Sequence, residues 1–465
     1  MPVHSRGKGT RKAASPPKSA PRPSRTAAEH PPEGVLRRQT SVRTLGRFLF
    51  LATAIFVILM LRRPGALSNP QFWAEDSVIF FHDQAVYGPL TSVVRLYAGY
   101  LQLTQRLVAD SAWLFPARFA PLIFILAATI IGALCCATFF LPYFRHIIRS
   151  DALRLSCCIL MATTIYSAEL VGTLVNVLWF MLVAGILLVF RELPDLPVRK
   201  LQRLAWGGLG AIMGLTAPLL VIVMPFSIWR LWRKRDGTHW YEVALTVGTL
   251  FQIYVFLKFY ENVKGYETIL KTADYALGAG IAGFMYRGAL STLVGIDWTY
   301  DLAGMGLLGF PQIALLIMAF GIAALWVSGN RKERAHILIA CYLAFSSIVL
   351  SLNGRHYTFP FANINSYAER GGGRYFFLSA CVFVYLMALA VSKLLRRQSQ
   401  PTQVAALFAL FALGITQNYP CPAFKDLNWA SHASAIDASI RDLRAGKPGA
   451  IAVPVNPEPW VLKIP

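Results

Sequence analysis

The chain has 465 residues, of which 55% are hydrophobic and only 15% charged, and its mean hydropathy is +0.49. That is more apolar side chain than a water-soluble core absorbs, so lipid is the natural solvent for the excess. The formal charge of +22 does not point to nucleic acid, because residues 1–44 hold ten Lys or Arg against two Glu and most of the rest lies in short loops, the pattern of the positive-inside rule.

Residues 1–44 are rich in Pro, Ser, Ala, Lys and Arg and lack hydrophobic periodicity, so they read as a disordered basic tail on the cytoplasmic side. Its length before Leu45 favours an uncleaved anchor over a signal peptide. Apolar runs follow at 45–61, 118–141, 152–168, 170–190, 205–214 with 216–231, 241–260, 305–327, 334–352, 374–394 and 403–416. Read as helices, they predict an all-α multi-pass protein with about eleven transmembrane spans. The stretch Gly214-Leu215-Thr216-Ala217-Pro218 reads equally as a break within one helix or a turn between two short ones. With the N-terminus inside, the clusters Arg145–Arg149, Arg191–Arg203, Arg230–Arg235, Arg331–Arg334 and Lys393–Arg397 all fall on the cytoplasmic side. The loops 64–117, 261–304 and 353–373 and the tail 417–465 then face outward, the tail as a small lid in which Trp429 and Trp460 read as membrane-interface anchors or, alternatively, as carbohydrate platforms. Six of the seven Cys lie in apolar runs, Cys421 has no evident partner, and no disulfide framework or metal motif is expected. No internal repeat is visible.

Candidate chemistry gathers in the outward loops. Phe72-Trp73-Ala74-Glu75-Asp76 places two carboxylates shortly after the first span; adjacent acids repel, so one is expected to titrate high and serve as a base. An ordinary solvated acidic pair at a helix start is the plainer alternative. Tyr97-Ala98-Gly99-Tyr100, then Gln102, Gln105 and Arg106, read as an interfacial helix whose aromatic and amide groups suit sugar and whose arginine suits phosphate. Glu169 lies at the end of one span, and Asn176 and Trp179 share a face of the next, where a cavity and a simple bundle contact are equally open. Loop 261–304 offers Lys264, and loop 353–373 offers His356, Arg370 and then Gly371-Gly372-Gly373-Arg374-Tyr375, in which glycines permit close approach and guanidiniums hold phosphate oxygens. That motif lacks the Gly-Lys-Ser/Thr ending of a nucleotide-binding loop.

Trp73-Ala74-Glu75-Asp76, Tyr97-Ala98-Gly99-Tyr100, Asn176 with Trp179, and Gly372-Gly373-Arg374-Tyr375-Phe376 together resemble the C-type (GT-C) glycosyltransferase superfamily, in particular its bacterial multi-pass members. The resemblance covers most of the chain in layout and a few residues in motif. It implies an inner-membrane enzyme moving a sugar from a polyprenyl-phosphate donor to a cell-envelope glycan or glycolipid at the outer face. On that reading Asp76 or Glu75 deprotonates the acceptor hydroxyl, and Arg374 or Arg370 stabilises the leaving phosphate. The Glu-Asp pair has no further acid two residues away, so no metal ligands are assigned and a divalent cation is left open. The rivals are a flippase or transporter of lipid-linked sugars, which should carry polar residues at mid-span or repeat symmetry, and an O-antigen ligase or polymerase, whose functional residues cluster in one late outer loop. A purely structural membrane protein would not explain charge gathered at loop edges on one face.

Overall fold

The computed structural model describes residues 33–164, 169–192, 199–233, 239–261, 280–281, 283–304, 321–353, 372–447 and 449–465. By contacts the chain divides into two units, Met1–Leu45 and Gly46–Pro465, and everything that follows concerns the second except where the first helix is named. The longer helices are α1 Glu33–Arg62, α2 Leu103–Ala112, α3 Ala120–Ala137, α4 Asp151–Thr163, α5 Val177–Val189, α6 Lys200–Thr216, α7 Met224–Arg233, α8 Trp240–Glu261, α9 Ile296–Gly304, α10 Arg331–Asn353, α11 Phe377–Leu394, α12 Gln400–Leu410, α13 Ala412–Asn418 and α14 Trp429–Arg444. A hairpin of β1 Ile451–Pro454 and β2 Val461–Ile464 closes the chain, pairing antiparallel with Ile451 opposite Ile464. The expected all-α fold therefore holds except for this hairpin, whose strands alternate buried and exposed residues.

Among the described residues, five helices are long and apolar enough to cross a membrane: Arg43–Arg62, Ala117–Phe140, Trp240–Phe259, Arg331–Ser351 and Gly373–Leu394. The expected eleven are not reached, for particular reasons. α4 and α5 have 13 residues each, about 20 Å at 1.5 Å per residue, short of a hydrocarbon core of about 30 Å. Phe411 divides α12 from α13, and residues 305–320 lie outside those described. Helix α1 begins at Glu33, inside the segment expected to be disordered; the run from Glu33 to Arg43 contains no proline to oppose it.

The 205–231 ambiguity resolves as two helical arms bent by 117°. Pro218 has no N–H to continue the ladder, and a six-residue 3₁₀ stretch, Pro218–Val223, follows it. Both arms return to the start of α8: Trp206 meets Tyr241 ring to ring at 6.0 Å, and Glu242 Oε1 lies 2.8 Å from both Arg191 Nη1 and Arg230 Nε. α6 and α8 approach closely through Gly210, Gly214 and Gly248; a Cβ at Gly214 would fall 2.7 Å from the Leu245 carbonyl oxygen.

Polar contacts gather at the two ends of the bundle. At one, His146 Nδ1 lies 3.7 Å from Glu192 and Lys393 Nζ 2.7 Å from Glu333, joining the starts of α4 and α10 to the ends of α5 and α11. At the other, reached by following α4 to its C-terminus, Arg62 donates to the carbonyls of Ala162, Asn418 and Tyr419, and Arg63 to those of Val171 and Pro422. The terminal segment packs at this second end. Trp429, 2% exposed, meets Phe72 and Phe81 at 4.7 and 5.9 Å and donates from Nε1 to the Ala117 carbonyl at 3.0 Å. Its burial removes it as a carbohydrate platform, whereas Trp460 is partly exposed.

Candidate active site at the Glu75–Arg374 end

The acidic pair is set by what holds the backbone on either side of it. Ahead of it Phe72 is buried against Phe124 and Trp429, and the Ala74 N–H donates to the Asn456 carbonyl. Ala74 itself sits at φ +21°, a region that costs an alanine free energy and persists only when the surroundings over-determine it. After the pair the chain makes a wide π-helical turn, Asp76–Phe81; such turns often occur at functional sites.

The two carboxylates then part. Asp76 is 2% exposed and accepts from the N–H of Leu174 at 2.8 Å and of Val175 at 2.6 Å, one on each oxygen. These amides precede the first turn of α5, where helical N–H groups lack intrahelical partners and the dipole favours negative charge. Burial nevertheless pushes Asp76 up to about 8; the two N–H bonds oppose it and the Glu75 charge adds to it. Glu75 accepts from the Tyr97 hydroxyl at 3.2 Å.

Tyr97 does not belong to an interfacial helix as expected. Tyr97-Ala98-Gly99-Tyr100 is a tight two-residue turn, with Tyr97 and Tyr100 exchanging both backbone bonds at 3.0 and 3.2 Å. Ala98 and Gly99 stand at φ +52° and +84°, the type I′ geometry. Glycine is needed at 99 on two grounds, its φ and the Phe259 ring 2.8 Å from where a Cβ would sit. Helix α2 starts only at Leu103.

Beside this turn is a cavity of about 280 Å³, mostly apolar, whose walls include Tyr100, Trp179, Pro218, Gln252, Phe256 and Tyr375. Trp179 and Tyr375 meet edge to face at 5.5 Å. Arg374, one residue before Tyr375, follows the left-handed Gly372. Its Nη1 lies 3.4 Å from Glu169 Oε2, its Nη2 donates to the Tyr375 hydroxyl at 3.3 Å, and it is within electrostatic reach of Glu75. Glu75, Tyr97, Tyr100, Glu169, Trp179, Arg374 and Tyr375 thus come from four separate stretches of chain to one region.

Other expected residues go elsewhere. Arg106 is fully buried and pairs with Asp83 at 2.8 Å rather than opening onto the cavity as a phosphate ligand. Asn176 spends its amide on the Glu169 carbonyl at 2.7 Å and on Thr173 Oγ1 at 3.0 Å, fixing the turn before α5. Arg370, His356 and Lys264 lie outside the described residues. Sequence reasoning missed Asp83: burial raises its carboxyl, but His82, Arg106 and Arg95 outweigh that and hold it below the usual range. It also missed Gln252, a single amide in an apolar run.

Among the described residues no three His, Cys, Asp or Glu side chains assemble as metal ligands. Each Asp76 oxygen accepts one backbone N–H. Comparison with family models, with curated proteins and with solved structures gives no match.

Proposed function

We propose that this protein is a membrane glycosyltransferase that moves a sugar from a polyprenyl-phosphate donor to a cell-envelope glycan or lipid acceptor. The observation that carries the reading is the electrostatic proximity of a carboxylate, Glu75, to a cation, Arg374, whose hydrogen-bond partner Tyr375 walls one largely apolar cavity. The apolar walls suit a lipid-linked donor, and the cation suits its phosphate.

Of the two acids, Glu75 is the better base. Asp76 is committed to two backbone N–H groups, whereas Glu75 holds a single 3.2 Å bond from Tyr97. The acceptor hydroxyl gives its proton to Glu75 while its oxygen attacks the anomeric carbon. The bond from that carbon to the phosphate oxygen breaks, its electron pair leaves with the phosphate, and Arg374 stabilises the growing charge. One displacement of this kind inverts the anomeric centre. The Glu169–Arg374 approach is 3.4 Å, longer than the about 2.7–2.9 Å of a good charge-assisted hydrogen bond, so the guanidinium keeps capacity for phosphate.

The same reading places the His146–Glu333–Lys393 end of the bundle and its basic loops in the cytoplasm, and the site and C-terminal segment on the outer face of a bacterial inner membrane. About eleven spans belong to this reading as well.

Transfer of radiolabelled sugar from polyprenyl-phosphate donors to envelope glycolipid tests it. Glu75→Gln is expected to lower kcat by about 10²–10⁴-fold, and Arg374→Gln by about 10²–10³-fold, at unchanged protein level. Wild-type rates in Glu75→Gln would remove it as the base. Saturable binding of lipid-linked sugar with no wild-type transfer would favour the flippase.

A further inference from the structure

Gln252 lies past the middle of α8, in the run Thr249-Leu250-Phe251-Gln252-Ile253-Tyr254, and is 1% exposed. An amide at such a depth is costly unless every polar atom is matched, and here the matching is specific. Gln252 Oε1 accepts from the Leu101 N–H at 2.9 Å while Nε2 donates to the Leu101 carbonyl at 2.6 Å. The side chain therefore pairs with Leu101 as a neighbouring β-strand would. The second Nε2 hydrogen goes to the Leu215 carbonyl at 2.7 Å, at the bend between α6 and α7. A parallel tie joins the same two regions, since Thr216 Oγ1 accepts from the Thr104 N–H at 3.1 Å. Leu101 directly follows the Tyr97–Tyr100 turn, and Gln252 itself walls the cavity.

We infer that Gln252 is a positioning residue, which holds the Tyr97–Tyr100 turn over the cavity and, through the Tyr97 hydroxyl, sets the Glu75 carboxylate for the reaction. The functional half of this inference rests on the transferase reading; the structural half does not. Gln252 touches Leu101 and Leu215, while the donor's phosphate is held at Arg374. A leucine in its place keeps the cavity wall apolar and leaves Arg374 in position, so loss of the amide displaces the base more than it weakens donor capture, and a displacement of about 1 Å costs on the order of 10²-fold in rate.

The test uses the full chain reconstituted in lipid, with Gln252→Leu and Gln252→Glu. Hydrogen exchange read over the 97–104 peptide is the first measurement. In Gln252→Leu the Leu101 amide is expected to exchange at least about tenfold faster than in the wild type, local opening being the route of exchange. Gln252→Glu supplies the conservative rescue: a protonated carboxyl has one O–H donor and one carbonyl acceptor, so protection relative to wild type returns as pH falls and is lost as it rises.

Steady-state transfer is the second measurement. Gln252→Leu is expected to lose about 10–100-fold in kcat with KM for the lipid donor within about threefold, the signature of an interaction realised only in the transition state. Wild-type exchange at Leu101 in Gln252→Leu would overturn the positioning role, as would faster exchange with kcat unaltered, or a loss confined to KM. A wild type that transfers no sugar would sink the transferase reading instead, and exchange at Leu101 would still decide whether Gln252 holds the turn.

Discussion

Asp76 carries a carboxyl whose value rises from 3.8 to about 8 on burial, and the sign of the consequence follows from linkage. A buried acid favours its neutral form, so its contribution to stability is complete below about pH 4 and declines as pH rises through about 8. Thermal unfolding in detergent between pH 4 and 9 should show that decline. Asp76→Asn should flatten it, while losing about 1–3 kcal/mol because one of the two N–H groups then faces an amide NH₂ instead of an oxygen. A slope unchanged in Asp76→Asn would place the titration elsewhere. The motif Trp73-Ala74-Glu75-Asp76 stood out in the sequence as paired acids, but which of the two is tied to backbone N–H groups was not legible. The deciding groups are the backbone amides of Leu174 and Val175, and a backbone amide leaves no mark in residue type. Arg106 failed for a similar reason: its partner Asp83 is another loop residue, and their pairing depends on the path between them.

At the scale of elements, the bend between the α6 and α7 arms supplies part of the cavity wall, and the C-terminal segment holds the backbone ahead of the acidic pair. Gly214→Val would drive a side chain into the Leu245 carbonyl, and overpacking of this sort costs about 1–3 kcal/mol. Because the bend that follows carries Pro218, a cavity wall, transfer should fall with the melting temperature; full activity at a lowered melting temperature would uncouple the two. Trp429→Ala removes the plug between Phe72 and Phe81 and should cost about 3–5 kcal/mol. Limited proteolysis within residues 419–428 would report the release of α14. Apolar run length made α3, α8, α10 and α11 readable, since each is a long run with no proline beyond its first turn. The type I′ turn at Tyr97–Tyr100 was less so, as Ala-Gly between tyrosines suits an amphipathic helix about as well until the φ of Gly99 and the Phe259 ring behind it are known. The β1–β2 hairpin is short enough that its alternation did not separate it from loop.

For the whole molecule, the distribution of charge between the ends makes a test of orientation. With the transferase reading, a membrane-impermeant maleimide applied to intact cells should label Cys introduced at the exposed Glu458 and leave Cys introduced at Arg145 unlabelled; the reverse pattern would invert the topology. The arginine pair that closes α1 has a bearing on how the chain is made. Arg62 and Arg63, each 3% exposed, donate to carbonyls near residues 162, 171, 418, 419 and 422. When the first helix leaves the ribosome those acceptors do not yet exist, and its two guanidiniums must wait at the headgroups while more than three hundred residues are synthesised. The end of the first helix is thus among the last parts of the molecule to reach its final contacts, and a nascent chain stopped before residue 418 would leave Arg62 and Arg63 without the carbonyls of residues 418, 419 and 422.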